Sequence, residues 1–176
     1  MSALSAAEVI RLLDLEPLRG EGGYFRRTWT APPFRADPKT GHHRARVAGS
    51  GRPAGSAIFF LLTGEEGGFS AFHRLGTDEV YHFYRGDPVE LHLFLDDGSY
   101  ERRILGPEFE RGQSPQTLAP AGSVQGSRLA PGGTWALLGT TMAPAFDPGD
   151  FELVGRAGLR ARHPEYAELI DGLTRA

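Results

Sequence analysis

The chain contains no cysteine. That absence excludes disulfides, thiolate zinc sites and cysteine nucleophiles together, so any metal has to be held by His, Asp, Glu or Gln. Lysine is nearly absent too, with Lys39 standing against 18 arginines. Such a bias can signal phosphate recognition, but beside abundant Ala, Gly and Pro it reads as codon bias. Long hydrophobic runs are also missing. The longest strongly apolar stretch, AIFFLL at 57–62, falls far short of the roughly 20 residues of a membrane-spanning helix. Glu8 and Arg11 interrupt the region where a signal peptide needs its apolar core, which predicts a cytoplasmic protein. A net charge of -3 and a pI near 6.1 give no broad attraction to phosphate backbones or anionic bilayers, so neither nucleic acid nor a membrane is an expected partner. No Gly-x-Ser-x-Gly elbow is present, which leaves a serine nucleophile without support.

What is present suits one compact domain. The 176 residues are 40% hydrophobic, enough to bury roughly 70% of the surface an unfolded chain exposes. We read residues 1–176 as a single domain with its core over about 18–155. Near the N-terminus, SAAEVIRLLDLEP places Ser5 and Glu8 in capping-box spacing ahead of the apolar stripe Val9, Leu12, Leu13, which predicts a short helix stopped by Pro17. From residue 18 to 151, short apolar runs recur between Gly, Pro and Asp-rich breaks without a sustained helical period, which predicts an all-β body. The clearest strand is VELHLFLDD, followed by a turn at Asp96–Ser99 in which Gly98 supplies a positive φ, and by the returning strand YERRILG. Further strands are expected in GYFRRTWTA, GSAIFFLL, GFSAFHR, EVYHFYRG, QTLAP, GSVQGSRL, TWALLGTTMAP and DFELVG. So many short strands with no helices between them point to a sandwich or rolled barrel. Residues 31–55 read as a surface excursion, and HPEYAELIDGLTRA as a closing helix with Tyr166, Leu169, Ile170 and Leu173 on one face.

The densest chemistry lies in FHRLGTDEVYHFYRG, residues 72–86. His73, Leu75, Glu79 and Gly86 have the spacing His-x-His-x3-Glu-x6-Gly with Leu75 at the second histidine. Pro120, Gly122 and Gln125 have the spacing Pro-x-Gly-x2-His with Gln125 at the histidine. Both patterns resemble the two cupin motifs. Together with GEGGYFRRTW, SAIFFLLTG, LGPEFERGQSPQTLAPAGSVQ and MAPAFDPGDFEL, they are similar in order to the single-domain cupin family known as DUF985 or cupin-5. That resemblance implies an all-β double-stranded β-helix, or jelly roll, with short flanking N- and C-terminal helices, commonly paired as a homodimer. Two positions depart from the family: Tyr81 stands where members commonly have Trp, and Val124 where they tend to have an aromatic residue.

A metallocupin offers three imidazoles and one carboxylate, but the matching positions here are His73, Leu75, Glu79 and Gln125. Leucine cannot coordinate and an amide oxygen is a weak donor, so a divalent metal would have only His73 and Glu79 as credible ligands. The favoured expectation is a metal-free pocket without a cofactor, binding a small polar metabolite. His73, Glu79 and Tyr81 are the candidate catalytic groups and Gln125, His82, Tyr24 and Arg26 the candidate ligand contacts. Metal-free cupins include sugar-nucleotide epimerases, so the resemblance implies epimerisation or isomerisation of a sugar- or nucleotide-like carbonyl compound as one outcome. Non-catalytic binding is the other, and a metal-dependent oxygenase or isomerase a third. Strand alternation turns His82 away from Glu79 and Tyr81, and only a β-bulge would bring it inward. GEGGYFRR ends without the Lys-Ser/Thr of a phosphate loop and opens a strand, so its glycines read as turn-formers, and Asp147 and Asp150 in FDPGDF read as an ordinary turn. His42 and His43 read as a solvated loop pair.

Overall fold

The computed structural model describes residues 4–31 and 52–175. The expected excursion over 31–55 and its His42–His43 pair lie largely outside the described residues. Helix α1, Ala6–Leu13, carries the predicted capping box: the Glu8 amide donates to Ser5 Oγ at 3.3 Å, and the Ser5 amide donates to the Glu8 carboxylate at 2.8 Å. Pro17 does not end it. Asp14 turns into the left-handed region at φ 50°, and the Leu15 amide closes on Ile10 O, a stop that Asp tolerates because its short side chain crowds the backbone little. Val9 and Leu15 then pack on Leu61.

The strands are β1 (Glu16–Pro17), β2 (Tyr24–Thr30), β3 (Ser56–Thr63), β4 (Ser70–Arg74), β5 (Glu79–Gly86), β6 (Val89–Phe94), β7 (Tyr100–Leu105), β8 (Gln116–Ala119), β9 (Val124–Leu129), β10 (Trp135–Met142) and β11 (Glu152–Leu153). All ladders between them are antiparallel. One sheet runs β1-β2-β3-β10-β5-β8 and the other β11-β4-β9-β6-β7, the two-sheet all-β cupin architecture the motifs imply. Each predicted strand is present; β1, a two-residue pairing with Tyr24 and Phe25, carries no alternation that would have announced it. Phe60, Leu62, Tyr81 and Leu138 from the first sheet meet Leu91 and Leu93 from the second in the main core.

Strand β6 shows how the second sheet is covered on both faces. Val89, Leu91 and Leu93 point into the core, yet Glu90, His92 and Phe94 are buried as well. Phe94 packs with Phe72 and Val124 under Leu159, Ile170 and Leu173 from helices α2 (Arg156–Arg162) and α3 (Ala167–Gly172). The expected single closing helix is thus a 3₁₀ turn at Pro164–Tyr166 followed by α3. Helix α2 is an addition that its short, Gly-interrupted RAGLRAR sequence did not signal. No helix among the described residues is long and apolar enough to cross a membrane.

This cover strands a histidine. His92 accepts from or donates to Tyr100 Oη at 2.8 Å and lies 3.4 Å from Glu90 Oε2, while Glu90 also pairs with Arg102 and Arg128. Desolvation above all, then the Arg128 charge, lowers the His92 pKa to about 4, against the pull of Glu90. A depressed histidine binds its proton more weakly folded than unfolded, so stability is full above the ordinary value of 6.5 and falls as pH drops from there toward 4. Thermal melts over that window are expected to show this loss in the parent chain and a flatter profile in His92→Gln. Parallel profiles would sink the assignment.

Candidate functional site

Between the sheets lies a cavity of about 180 Å³. Its polar wall is built from alternation: on β5, Glu79 and Tyr81 turn inward, facing Met142 and Thr140 of β10 in register, and on β4, His73 pairs across with Gln125 of β9. Glu21, from the loop between β1 and β2, joins them. Leu75, Ile58, Phe60, Met142, Phe146 and Phe151 make the rest largely apolar.

His73 is fully buried. Its Nδ1 lies 2.8 Å from Ala71 O, and because a carbonyl can only accept, Nδ1 carries the proton and Nε2 is the nitrogen left to the cavity. Phe151 stacks on the ring at 5.2 Å, fixing its plane. Desolvation raises the Glu79 pKa; positive charge at His73 opposes it, Glu21 reinforces it, and hydrogen bonding to Thr140 and Gln125 opposes it again. Tyr81 is pushed well above 10, first by desolvation and then by the Glu79 and Glu21 carboxylates. The result is a phenol held protonated beside a carboxyl group that resists ionisation.

Gln125 is buried but stands behind this wall, its Nε2 donating to Glu79 Oε2 at 2.8 Å while its Oε1 has no partner. It is placed to orient Glu79, not to touch a ligand. The structure does not bring His82 to the cavity. A bulge does interrupt β5, but at Tyr84, between the pairs Leu137–Arg85 and Leu138–Phe83, too late to reverse His82. That ring faces outward, its Nδ1 accepting from the Gln116 amide at 3.2 Å and its Nε2 3.1 Å from Thr141 Oγ1. Tyr24 and Arg26 are displaced by the same parity. Tyr24 packs against the α1 layer, and Arg26 lies over Phe59 at 5.6 Å. Their neighbours Phe25 and Arg27 line the cavity instead, since one residue along a strand exchanges faces.

Glu21, in the GEGG block, is a cavity residue that no sequence pattern marks. Its placement rests on the loop. Ser70 Oγ donates to Glu21 Oε1 at 2.7 Å, and Arg175 Nη2 donates to Glu21 O, Gly67 O and Phe69 O at 2.8, 3.0 and 3.1 Å. The loop thus converges carbonyls on a cation, the reverse polarity of a phosphate cradle. Tyr24, Gly22, Gly67 and Arg175 border a separate cleft of about 330 Å³. The Asp-Pro-Gly-Asp segment is the expected turn: Asp147 Oδ1 accepts from the Gly149 amide and Asp150 pairs with Arg52 at 2.6 Å.

With this geometry in hand, comparison with known proteins decides the lineage. The family model described as Cupin superfamily (DUF985), Cupin_5, matches residues 7–154. The chain belongs to the Cupin_5 family. Among solved structures, the Cupin_5 chain is similar to protein SO0799 from Shewanella oneidensis, at 30% identity over 98% of this chain and 99% of that one, with a TM-score of 0.81. It is also similar to a hypothetical protein from Leishmania major, at 28% identity over 98% and 100%, with a TM-score of 0.81. A variant of Bacillus subtilis oxalate decarboxylase, 14% identical over 92% of this chain and 38% of that one with a TM-score of 0.51, shares the fold alone. No curated protein matches the chain.

The cupin superfamily raises the question of a metal, and the donor set here does not fit one. Leu75 presents an apolar side chain to the cavity at a ligand position, and the Gln125 amide is committed to Glu79. Among the described residues, no group of three or more His, Cys, Asp or Glu side chains is arranged to hold a metal ion.

Proposed function

We propose that this Cupin_5 protein binds a small polar carbonyl compound in its cavity without a metal and moves a proton on it, as in epimerisation or isomerisation. The observation that carries this reading is the His73 ring, locked by Ala71 O so that Nε2 serves the cavity, beside buried Glu79 and Tyr81. Nε2 takes a proton from the carbon next to the carbonyl. Tyr81, kept protonated by its surroundings, donates a hydrogen bond to the carbonyl oxygen where negative charge gathers. Glu79, oriented by Gln125, offers the neighbouring proton-exchanging group. The enclosed part of the cavity, about 180 Å³, suits a small metabolite.

The test is solvent exchange. Parent protein and His73→Ala are incubated in D2O with small aldoses and ketoses, and the C–H beside each carbonyl is followed by proton NMR. The parent is expected to exchange one of these positions, and His73→Ala to do so about 10²–10⁴-fold more slowly. Equal exchange by both would remove His73 from this role. Saturation transfer from protein to ligand with no exchange at carbon would leave a binding protein without catalysis.

A further inference from the structure

Resting on that reading of the cavity, we propose that its ligand carries an anionic group, a carboxylate or phosphate, held at the cavity rim by Arg19 and Arg27. Both arginines border the cavity and both are exposed. Neither takes part in an ion pair among the described residues, where other arginines pair with Glu90, Glu101, Glu108, Asp150, Glu152 or Asp171. Arg27 is also braced: its guanidinium lies 5.7 Å from the centre of the Phe146 ring, itself part of the cavity wall. Arg26, one residue away, is turned to the outer face over Phe59, so strand parity selects Arg27 for the rim.

The cavity is therefore polarised. Its depth holds Glu21, engaged by Ser70, whose carboxylate would repel an anion. Its rim offers two planar guanidinium groups whose donor forks match carboxylate and phosphate oxygens. The chain's net charge of -3 supplies no general attraction for anions, so the attraction is local. A ligand with one charged end and one neutral carbonyl end can enter in a single orientation, charge outward and carbonyl toward His73 and Tyr81. The arginines thus determine which carbon meets Nε2.

Matched probes test this by calorimetry at low salt: ribose against ribose 5-phosphate, and glucose against glucuronate. At least one charged probe is expected to bind about ten-fold or more tightly than its neutral partner, with the advantage shrinking as salt rises. The double variant Arg19→Gln/Arg27→Gln is expected to bring charged and neutral probes level; both positions are exposed, so folding is not at stake. The phosphate and carboxylate arms separately report which anion is preferred. Neutral probes binding as tightly as charged ones, or a charge advantage surviving in the double variant, overturns the anion assignment and leaves the cavity reading standing. If no probe binds in either arm, both fall.

Discussion

Glu79→Gln is expected to raise the melting temperature near neutral pH while slowing proton transfer about 10²–10⁴-fold. The two effects share one cause. Burial raises the Glu79 pKa above its ordinary value of 4.5, so the folded chain holds this proton more firmly than the unfolded chain does. Below pH 4.5 both states are protonated and the stability contribution is complete. As pH rises, the unfolded chain ionises first, and stability is lost until the folded pKa is passed. Glutamine removes this loss because it has no proton to release. It also keeps an amide oxygen to accept from Gln125 Nε2 as Glu79 Oε2 does now, and each 1 kcal/mol recovered is worth roughly 2–4 °C in a chain of this size. Melts from pH 4.5 upward should show the parent falling away from the variant. A variant melting below the parent at neutral pH would mean that the carboxylate stabilises the fold through His73 and Gln125, and the burial argument would be wrong.

The same residues show what could be read from the chain alone. Strand existence was legible because alternation and Gly or Pro breaks are local properties, and the resemblance to the two cupin motifs implied that His73, Glu79 and Gln125 share one pocket. Facing was harder. The resemblance implied Tyr24 and Arg26 as contacts, but the parity of β2 is set by its pairing with Leu61 and Phe60 of β3, a contact that the local sequence does not contain. The direction of His82 is equally non-local, because the unbroken register of Glu79 to Phe83 against β10 turns it outward and the bulge comes only after it. Gln125 was legible as a motif position but not as a group behind Glu79, since hydrogen bonding across 46 residues leaves no periodic trace. Glu21 was hidden differently: it belongs to a glycine loop whose shape depends on Arg175, at the far end of the chain.

That dependence makes Gly22→Val the second large effect. Gly22 has φ +112°, a conformation a β-branched residue strongly resists. A Cβ there would stand 1.8 Å from Arg175 Nη2 and 2.3 Å from Phe69 O. The guanidinium can swing aside, but the carbonyl belongs to the backbone leading into β4 and cannot move without disturbing Ser70. Valine is therefore expected to cost about 2–4 kcal/mol and to lower the melting temperature by on the order of 10 °C. Arg175→Ala separates the two contacts: it removes the nearer obstacle and leaves the carbonyl, so the combined variant should lose less than the sum of the single losses while still melting well below Arg175→Ala alone. The consequence reaches the cavity, because Glu21 O accepts from both the Ala71 amide and Arg175. A ligand bound by the parent is expected to bind more weakly to Gly22→Val at temperatures where the variant is still folded. If Gly22→Val melts within about 2 °C of the parent, less than 1 kcal/mol for a chain of this size, the loop yields without resistance and does not fix Glu21 in place.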